Sequence, residues 1–474
     1  MLHRNRRFIP VMVLGAIGVS GALALAADTA TEDLKAQVNA LQAKVESLEA
    51  KQLSSKDVDD TVRRILADAD SRSHMLASEG FTAGYSNGKF LIQSADGNFV
   101  LHPYLQMQLR NATDYREDFK SRGDGDTQNG FEMRRMKFGF EGNAYGPELT
   151  YQFQWATNRT SNAAGEGAGM PVLEDAWAKY QFADGWAVMG GQFKDPLFRE
   201  SLVSSMKQLA AERSLLNGIL EGGDNYVEGV SLLYTHDRLH AQGAFTNGFG
   251  SQNANFVEPK GSPDDADYKA NGNRKYNFGV AARADYMVLG DPEKTWKQYS
   301  QFTALGAKED MLILGTAGEW SQAGDANTYW YTADAQWVPA TLRGLSVYGA
   351  LVGRSNSISN TETASQRSSF DDWGYVAQAG YLMSNNIEPF VRYDYIRVNQ
   401  DILSDSAAAT YGTRNIHEIT AGVNYYLKGQ NAKFTLDLTY LPNGSPISSS
   451  GADIQSQPTD QAQWLARVQF QLVL

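Results

Sequence analysis

Seven basic side chains, Arg110, Arg135, Lys137, Lys179, Arg283, Arg392 and Arg467, stand at polar positions in runs whose alternate positions are apolar. Asp175, Asp285, Asp334, Asp394, Glu418 and Asp437 share the polar parity. Rows of bases attract anions, and acids facing them set up a transverse field that orients a passing solute. The blander outcome for any one of these residues is an ion pair that keeps a wet wall rigid, since water screens isolated charges. A second basic set is concentrated on one long connection, residues 194–225. There Lys194, Arg199, Lys207 and Arg213 stand against Asp195, Glu200 and Glu212, and Ser201–Leu216 has helical composition.

Catalytic and metal chemistry finds little support. Gly84-Tyr85-Ser86-Asn87-Gly88 fits G-x-S-x-G, but a nucleophile elbow needs a strand before it and a helix after it. A helix is expected before this stretch and a strand, Lys89–Gln93, after it, so it reads as a turn. His236 and His240 flank a hairpin turn at Asp237 and Arg238 with no third ligand nearby, and read as turn and rim residues. Asp124-Gly125-Asp126 and Asp264-Asp265-Ala266-Asp267 fall in expected loops, and the first lacks the glycine and distant glutamate of a calcium loop. No cysteine is present, which excludes a disulfide framework and any Cys-ligated metal, haem or cluster. No enzyme activity, cofactor or metal is expected. A formal charge of -12 over 474 residues speaks against nucleic-acid binding, although local sites for anions remain open.

The elements that would carry these residues fall into three parts. Arg4, Arg6 and Arg7 precede an apolar run from Phe8 to Ala27 that closes on an Ala-x-Ala pattern, so residues 1–26 read as a secretory signal peptide. In residues 27–80, Leu34, Val38, Leu41, Val45 and Leu48 are spaced 4, 3, 4, 3, which is the seam of a coiled coil. A polar helix near residues 56–77 follows it. Three heptads are marginal alone, so this stalk needs a tether that brings copies together.

From about residue 97 the period becomes 2. Leu101–Arg110, Pro147–Thr157, Asn327–Trp337, Lys433–Tyr440 and Trp464–Leu474 alternate apolar and polar residues over about ten positions. Aromatics gather at the ends of such runs, at Trp155, Trp186, Trp320, Trp337, Tyr440 and Trp464. About sixteen strands fit, joined mostly by long and short connections in turn. Residues 289–309 are long where a short turn is due, and 321–326 short where a long loop is due. Aromatic girdles, even strand number and alternating loop length are the marks of an outer-membrane β-barrel. The expected fold is therefore all-β: a transmembrane antiparallel barrel over residues 81–474, with the N-terminal helical stalk on the periplasmic side. A soluble periplasmic β-domain is the weaker alternative.

Asp96-Gly97-Asn98-Phe99, Phe131-Glu132-Met133-Arg134-Arg135-Met136-Lys137 and Gly191-Gln192-Phe193-Lys194-Asp195-Pro196 resemble the phosphate-selective porin O and P family. So do Glu212-Arg213-Ser214-Leu215 and Gly422-Val423-Asn424-Tyr425-Tyr426-Leu427. The resemblance runs from about residue 85 to the end, in the family's order. It implies a homotrimeric, water-filled channel of sixteen strands, with the loop after the fifth strand folded inward as the constriction. It also brings Lys194, Arg199, Lys207 and Arg213 to that constriction. The expected function is passive diffusion of small hydrophilic solutes across the outer membrane, with a preference for anions or phosphate. The alternative is a structural or adhesive barrel whose stalk tethers envelope layers. The expected partners are membrane lipid, two further copies and small solutes.

Overall fold

The computed structural model describes residues 35–44, 63, 80–86, 89–117, 126–157, 169–253, 276–323, 326–358, 369–398, 415–445, 449, 452–457 and 460–474. The chain divides into two compact units, Met1–Phe81 and Thr82–Leu474. In the first, the described helix spans 35–44 and carries Val38 and Leu41. The signal peptide, seam positions Leu34, Val45 and Leu48, and the second helix (except residue 63) lie outside the described residues, as do Asp124 and residues 264–267.

The second unit opens with a hairpin, β1 (Phe81–Ser86) and β2 (Lys89–Ser94). Gly84-Tyr85-Ser86 is thus on a strand, where the sequence suggested a turn, and another strand follows it as expected. The barrel then begins with β3 (Val100–Arg116), β4 (Thr127–Asn143), β5 (Leu149–Thr157), β6 (Pro171–Ala183), β7 (Trp186–Lys194) and β8 (Tyr226–His236). It continues with β9 (Leu239–Thr246), β10 (Phe278–Leu289), β11 (Met311–Ala323), β12 (Ala326–Val338) and β13 (Leu345–Ile358). The last strands are β14 (Ser369–Tyr381), β15 (Ile387–Arg397), β16 (Asn415–Tyr426), β17 (Ala432–Leu441) and β18 (Gln463–Val473). Each pairs antiparallel with the next, and β18 returns to β3 from Gln463↔Arg116 to Val473↔Gln106. The Leu474 amide donates to the Leu105 carbonyl (2.9 Å) and the reverse bond is 3.1 Å, so the closing seam is bonded to its end. Sixteen strands close with no free edge, which is what backbone polar groups require in lipid.

Polarity is inverted relative to a soluble barrel. Leu351 is 60% exposed and Val468 51%, both on the outer face, while Arg467, next to Val468 but pointing inward, is 1% exposed. Aromatic pairs mark both rims: Trp186 on Tyr234 (centroids 4.7 Å) at the short-turn end, and Tyr440 on Trp464 (4.1 Å) at the long-loop end. No described helix is long and apolar enough to cross a membrane; the strands do the crossing.

Two bulges alter the simple alternation. Gln108 pairs with Arg135 but Leu109 with Met133, leaving Arg134 as an extra residue, so Arg134 and Arg135 are both buried on the inner side. In β6 the register steps from Gln154↔Asp175 to Trp155↔Leu173 and makes Glu174 the extra residue. A bulge inserts one residue and re-aims its neighbours, which here places consecutive charges on one face.

Candidate functional site

Residues 195–225, between β7 and β8, fold inside the barrel. Their helical content is shorter than composition suggested: Arg199–Leu202, a 3-10 turn at Ser205–Lys207, and Leu215–Leu220. The reason is visible in the anchoring, which takes over backbone groups that a continuous helix would use. The Ala211 amide donates to Asp437 (2.9 Å), Leu215 to Glu418 (2.8 Å) and Leu216 to Asp394 (2.9 Å). The last two are the opening amides of the helix Leu215–Leu220, so two wall carboxylates sit at its positive end. Wall bases take loop carbonyls: Arg392 binds that of Glu212 (2.8 Å), Lys433 that of Gln208 (2.9 Å) and Arg283 that of Leu197 (3.1 Å).

Apolar contact fixes which wall the loop lies on. Phe198, Val203, Leu209, Leu215, Leu216 and Leu220 join Tyr348, Val352, Val376, Phe390, Ile396 and Ile416 in one buried cluster. The wall members are inner-face residues of β13 to β16. Gly374 makes room for this approach, since a Cβ there would stand 2.4 Å from the Leu216 side chain and 2.3 Å from a backbone oxygen.

Glu212 is the charged hub. Its carboxylate pairs with Arg110 (2.9 Å), Arg135 (2.7 Å) and Arg134. Burial alone would raise its pKa, but the guanidinium groups of Arg134, Arg135 and Arg110 hold it well below the usual carboxylate range. Asp224 is a second hub, paired with Arg213 (2.6 Å), Lys194 (3.0 Å) and, more loosely, Lys137 (3.8 Å).

The structure thus sorts the bases singled out in the sequence. Arg110, Arg135, Lys137, Arg283, Arg392 and Arg467 all lie on the inner side in ion pairs, Lys137 with Glu174 (2.6 Å), Arg283 with Asp334 (2.9 Å), Arg392 with Glu418 (2.5 Å) and Arg467 with Asp437 (2.7 Å). Of the loop bases, Lys194 and Arg213 are tied to Asp224, and Arg199 donates to the Tyr299 carbonyl while its guanidinium stacks 3.8 Å over the Tyr299 ring. Lys207 and Lys179 have no ion-pair partner among the described residues. Lys207 donates to Ser300 (3.0 Å) and keeps partial exposure, and Lys179 sits 5.9 Å from the centre of the Trp177 ring. Burial pushes the Lys207 ammonium below the ordinary lysine value, helped by Lys89, Arg199 and Lys297, with Glu141 opposing. Arg134 escaped the period-2 reading; the signal for it was Met133 and Met136, three residues apart yet both outward. His240 stacks on Trp296 (3.5 Å) and His236 meets Asp237 (3.4 Å).

Inner-face residues away from the loop keep partial exposure: Tyr104, Glu141, Gln152, Gln154 and Lys179, on β3 to β6. The lumen is therefore asymmetric, filled against β12–β18 and the middle of β3 and β4, and more open along the short-turn halves of β3–β6.

Residues 105–472 match the phosphate-selective porin O and P family. The chain belongs to that family. It is an outer-membrane porin, a passive diffusion channel for small hydrophilic solutes. The porin is 22% identical over 366 residues to an uncharacterised protein of Aquifex aeolicus, covering 72% of this chain and 83% of that one. Its fold resembles that of an anion-selective porin from Comamonas acidovorans at 11% identity, with a TM-score of 0.51 over 79% of this chain and 99% of the other. The outer-membrane channel DcaP of Acinetobacter baumannii is similar at 12% identity, with a TM-score of 0.47 over 82% and 100%.

Proposed function

We propose that this porin passes small anions preferentially, along the β3–β6 side of the lumen and across the edge of the inward loop. The observation that carries the reading is the division of the bases: among the described residues almost every lumen guanidinium is already neutralised by a carboxylate, whereas the Lys207 and Lys179 ammonium groups are not. In a narrow, partly dehydrated passage an unneutralised cation biases permeation more than a screened charge on an open wall. Phosphate is the anion class suggested by the family description, and an anion-selective protein is among the structural neighbours. Reversal potential across a planar bilayer in a salt gradient tests the reading. Anion preference is expected at low salt and should weaken as the Debye length falls to ~3 Å near 1 M. Cation preference at low salt would refute it.

The reading extends to assembly. Residues 1–26 direct export, and residues 27–80 form a periplasmic stalk whose seam, Leu34, Val38, Leu41, Val45 and Leu48, helps hold three copies together. The pattern of the seam and the helix at 35–44 support this. Crosslinking of the exported protein should trap trimers; a monomer alone would rule the trimer out.

A further inference from the structure

The connection between β10 and β11, residues 290–310, is at the short-turn end of the barrel, where the other six connections are six residues or fewer. Asp291 accepts from the Glu293 amide (3.0 Å) and Pro292 starts the helix Pro292–Tyr299, so the chain begins the segment with an ordinary helix start. Trp296 ties that helix to the neighbouring turn by donating to the Asp237 carbonyl (2.7 Å).

Beyond the helix the chain turns into the lumen. The Tyr299 hydroxyl reaches Asp285 (2.9 Å) on β10, four residues or about 13 Å of strand from that strand's end. Phe302 is fully buried against Tyr348 of β13, with ring centres 4.5 Å apart. Thr303 donates to Glu388 of β15 (2.6 Å), and the Gln301 carbonyl accepts from Gln336 of β12 (2.6 Å). The segment therefore crosses beneath a third of the wall. It also meets the inward loop: the Phe302 amide donates to the Lys207 carbonyl (3.3 Å), Lys207 donates to Ser300 (3.0 Å), and Arg199 lies over Tyr299 with Phe302 at 5.3 Å. Opposite this junction, Lys89 of the β1–β2 hairpin is paired with Glu141 of β4 (2.6 Å). The charged groups that bear on Lys207 are Lys89, Glu141, Arg199 and Lys297, four of the five bearing positive charge with Lys207 included.

We propose that residues 290–310 form a second constriction at the periplasmic mouth, built jointly with the loop 195–225, in which Lys207 is the last selective cation that a permeating anion passes. The inference rests on the channel reading above and adds to it a specificity site made by a periplasmic turn. The loop from the outer side and the segment from the inner side meet edge to edge, so neither alone sets the size of the exit. The passage left open lies between their junction and the Lys89–Glu141 pair.

Single-channel conductance and thiol block test this in the intact, cysteine-free chain. Replacing residues 291–309 by Gly-Asn-Gly should raise conductance by about two-fold or more, because the exit is then bounded by the loop alone. Ser300→Cys conserves the fold, and a bulky thiol reagent added from the periplasmic side should cut its current by about half or more. An assembled shortened variant with unchanged conductance, or a labelled Ser300→Cys channel with undiminished current, overturns the proposal; if the shortened variant does not assemble, the cysteine decides alone. A wild-type protein that conducts no ions would instead remove the channel reading itself.

Discussion

The two sides of the lumen both carry inner-face charges and do different work. On β13–β16 the inner positions mix carboxylates with Val352, Val376, Phe390, Ile396 and Ile416, and the loop 195–225 covers them. On the short-turn halves of β3–β6 the inner positions are Tyr104, Gln152, Gln154, Glu141 and Lys179, with no comparable apolar patch, and they stay partly exposed. Deeper on β3 and β4, Arg110, Arg134 and Arg135 are buried against the loop. A carboxylate under the loop receives backbone amides, as Asp394 and Glu418 do. A charge off the loop faces water and solute. Inner-face charge in a barrel is thus not one functional class, and apolar neighbours decide which role a charge takes.

Breaking the loop's anchor to β3 and β4, opposite the apolar wall, should have the largest effect. Glu212→Gln leaves Arg110, Arg134 and Arg135 without their shared acid, and loss of one member of a buried ion pair costs about 3–5 kcal/mol. Denaturation in detergent should occur at lower denaturant, single-channel conductance should rise as the loop loosens, and selectivity should move further toward anions. Wild-type conductance in this variant would mean that the apolar cluster alone holds the loop.

On the junction between the two sides, Lys207→Gln should move the reversal potential toward cation preference while changing stability by less than about 0.5 kcal/mol, as for a surface substitution. Arg213→Gln should do the opposite, loosening the loop through Asp224 with only an indirect change in selectivity.

A smaller effect is expected from pH. The depressed value of Lys207 means that its charge is lost as pH rises, before that of an ordinary lysine. The groups facing it are Lys89, Glu141, Arg199 and Lys297, and the carboxylate is already ionised there. Anion preference should therefore fade in the alkaline range in the wild type, and Lys207→Arg should keep it. Glu212, held low by three arginines, keeps its charge through mildly acidic pH, so the loop should stay anchored there and loosen only in strong acid.

Much of this was legible in the chain. Period-2 runs, aromatic ends and alternating connection length determine the barrel, and the inner parity of Arg110, Arg283, Arg392 and Arg467 follows from their apolar neighbours. The pairing of those bases was not legible, because partners such as Glu212 and Leu197 come from a loop whose path depends on contacts far away in sequence. The inner apolar positions on β13–β16 were a readable sign that something covers them. Arg134 needed the bulge, which two outward methionines three residues apart signal. The long connection at 290–310 stood out by length, but only Tyr299 and Phe302 in place on the wall give it a role.

The asymmetry of the lumen has a direct test in a chain without cysteine. Gln152→Cys on β5 and Thr420→Cys on β16 are both inner-face positions, partly exposed and fully buried respectively. Current is recorded while a small charged thiol reagent is added. Rapid reaction and a drop in current at Gln152→Cys, with no response at Thr420→Cys, is the expected result. Equal reaction at both positions, or reaction at Thr420→Cys alone, would contradict a loop seated on the β13–β16 wall and a passage along β3–β6.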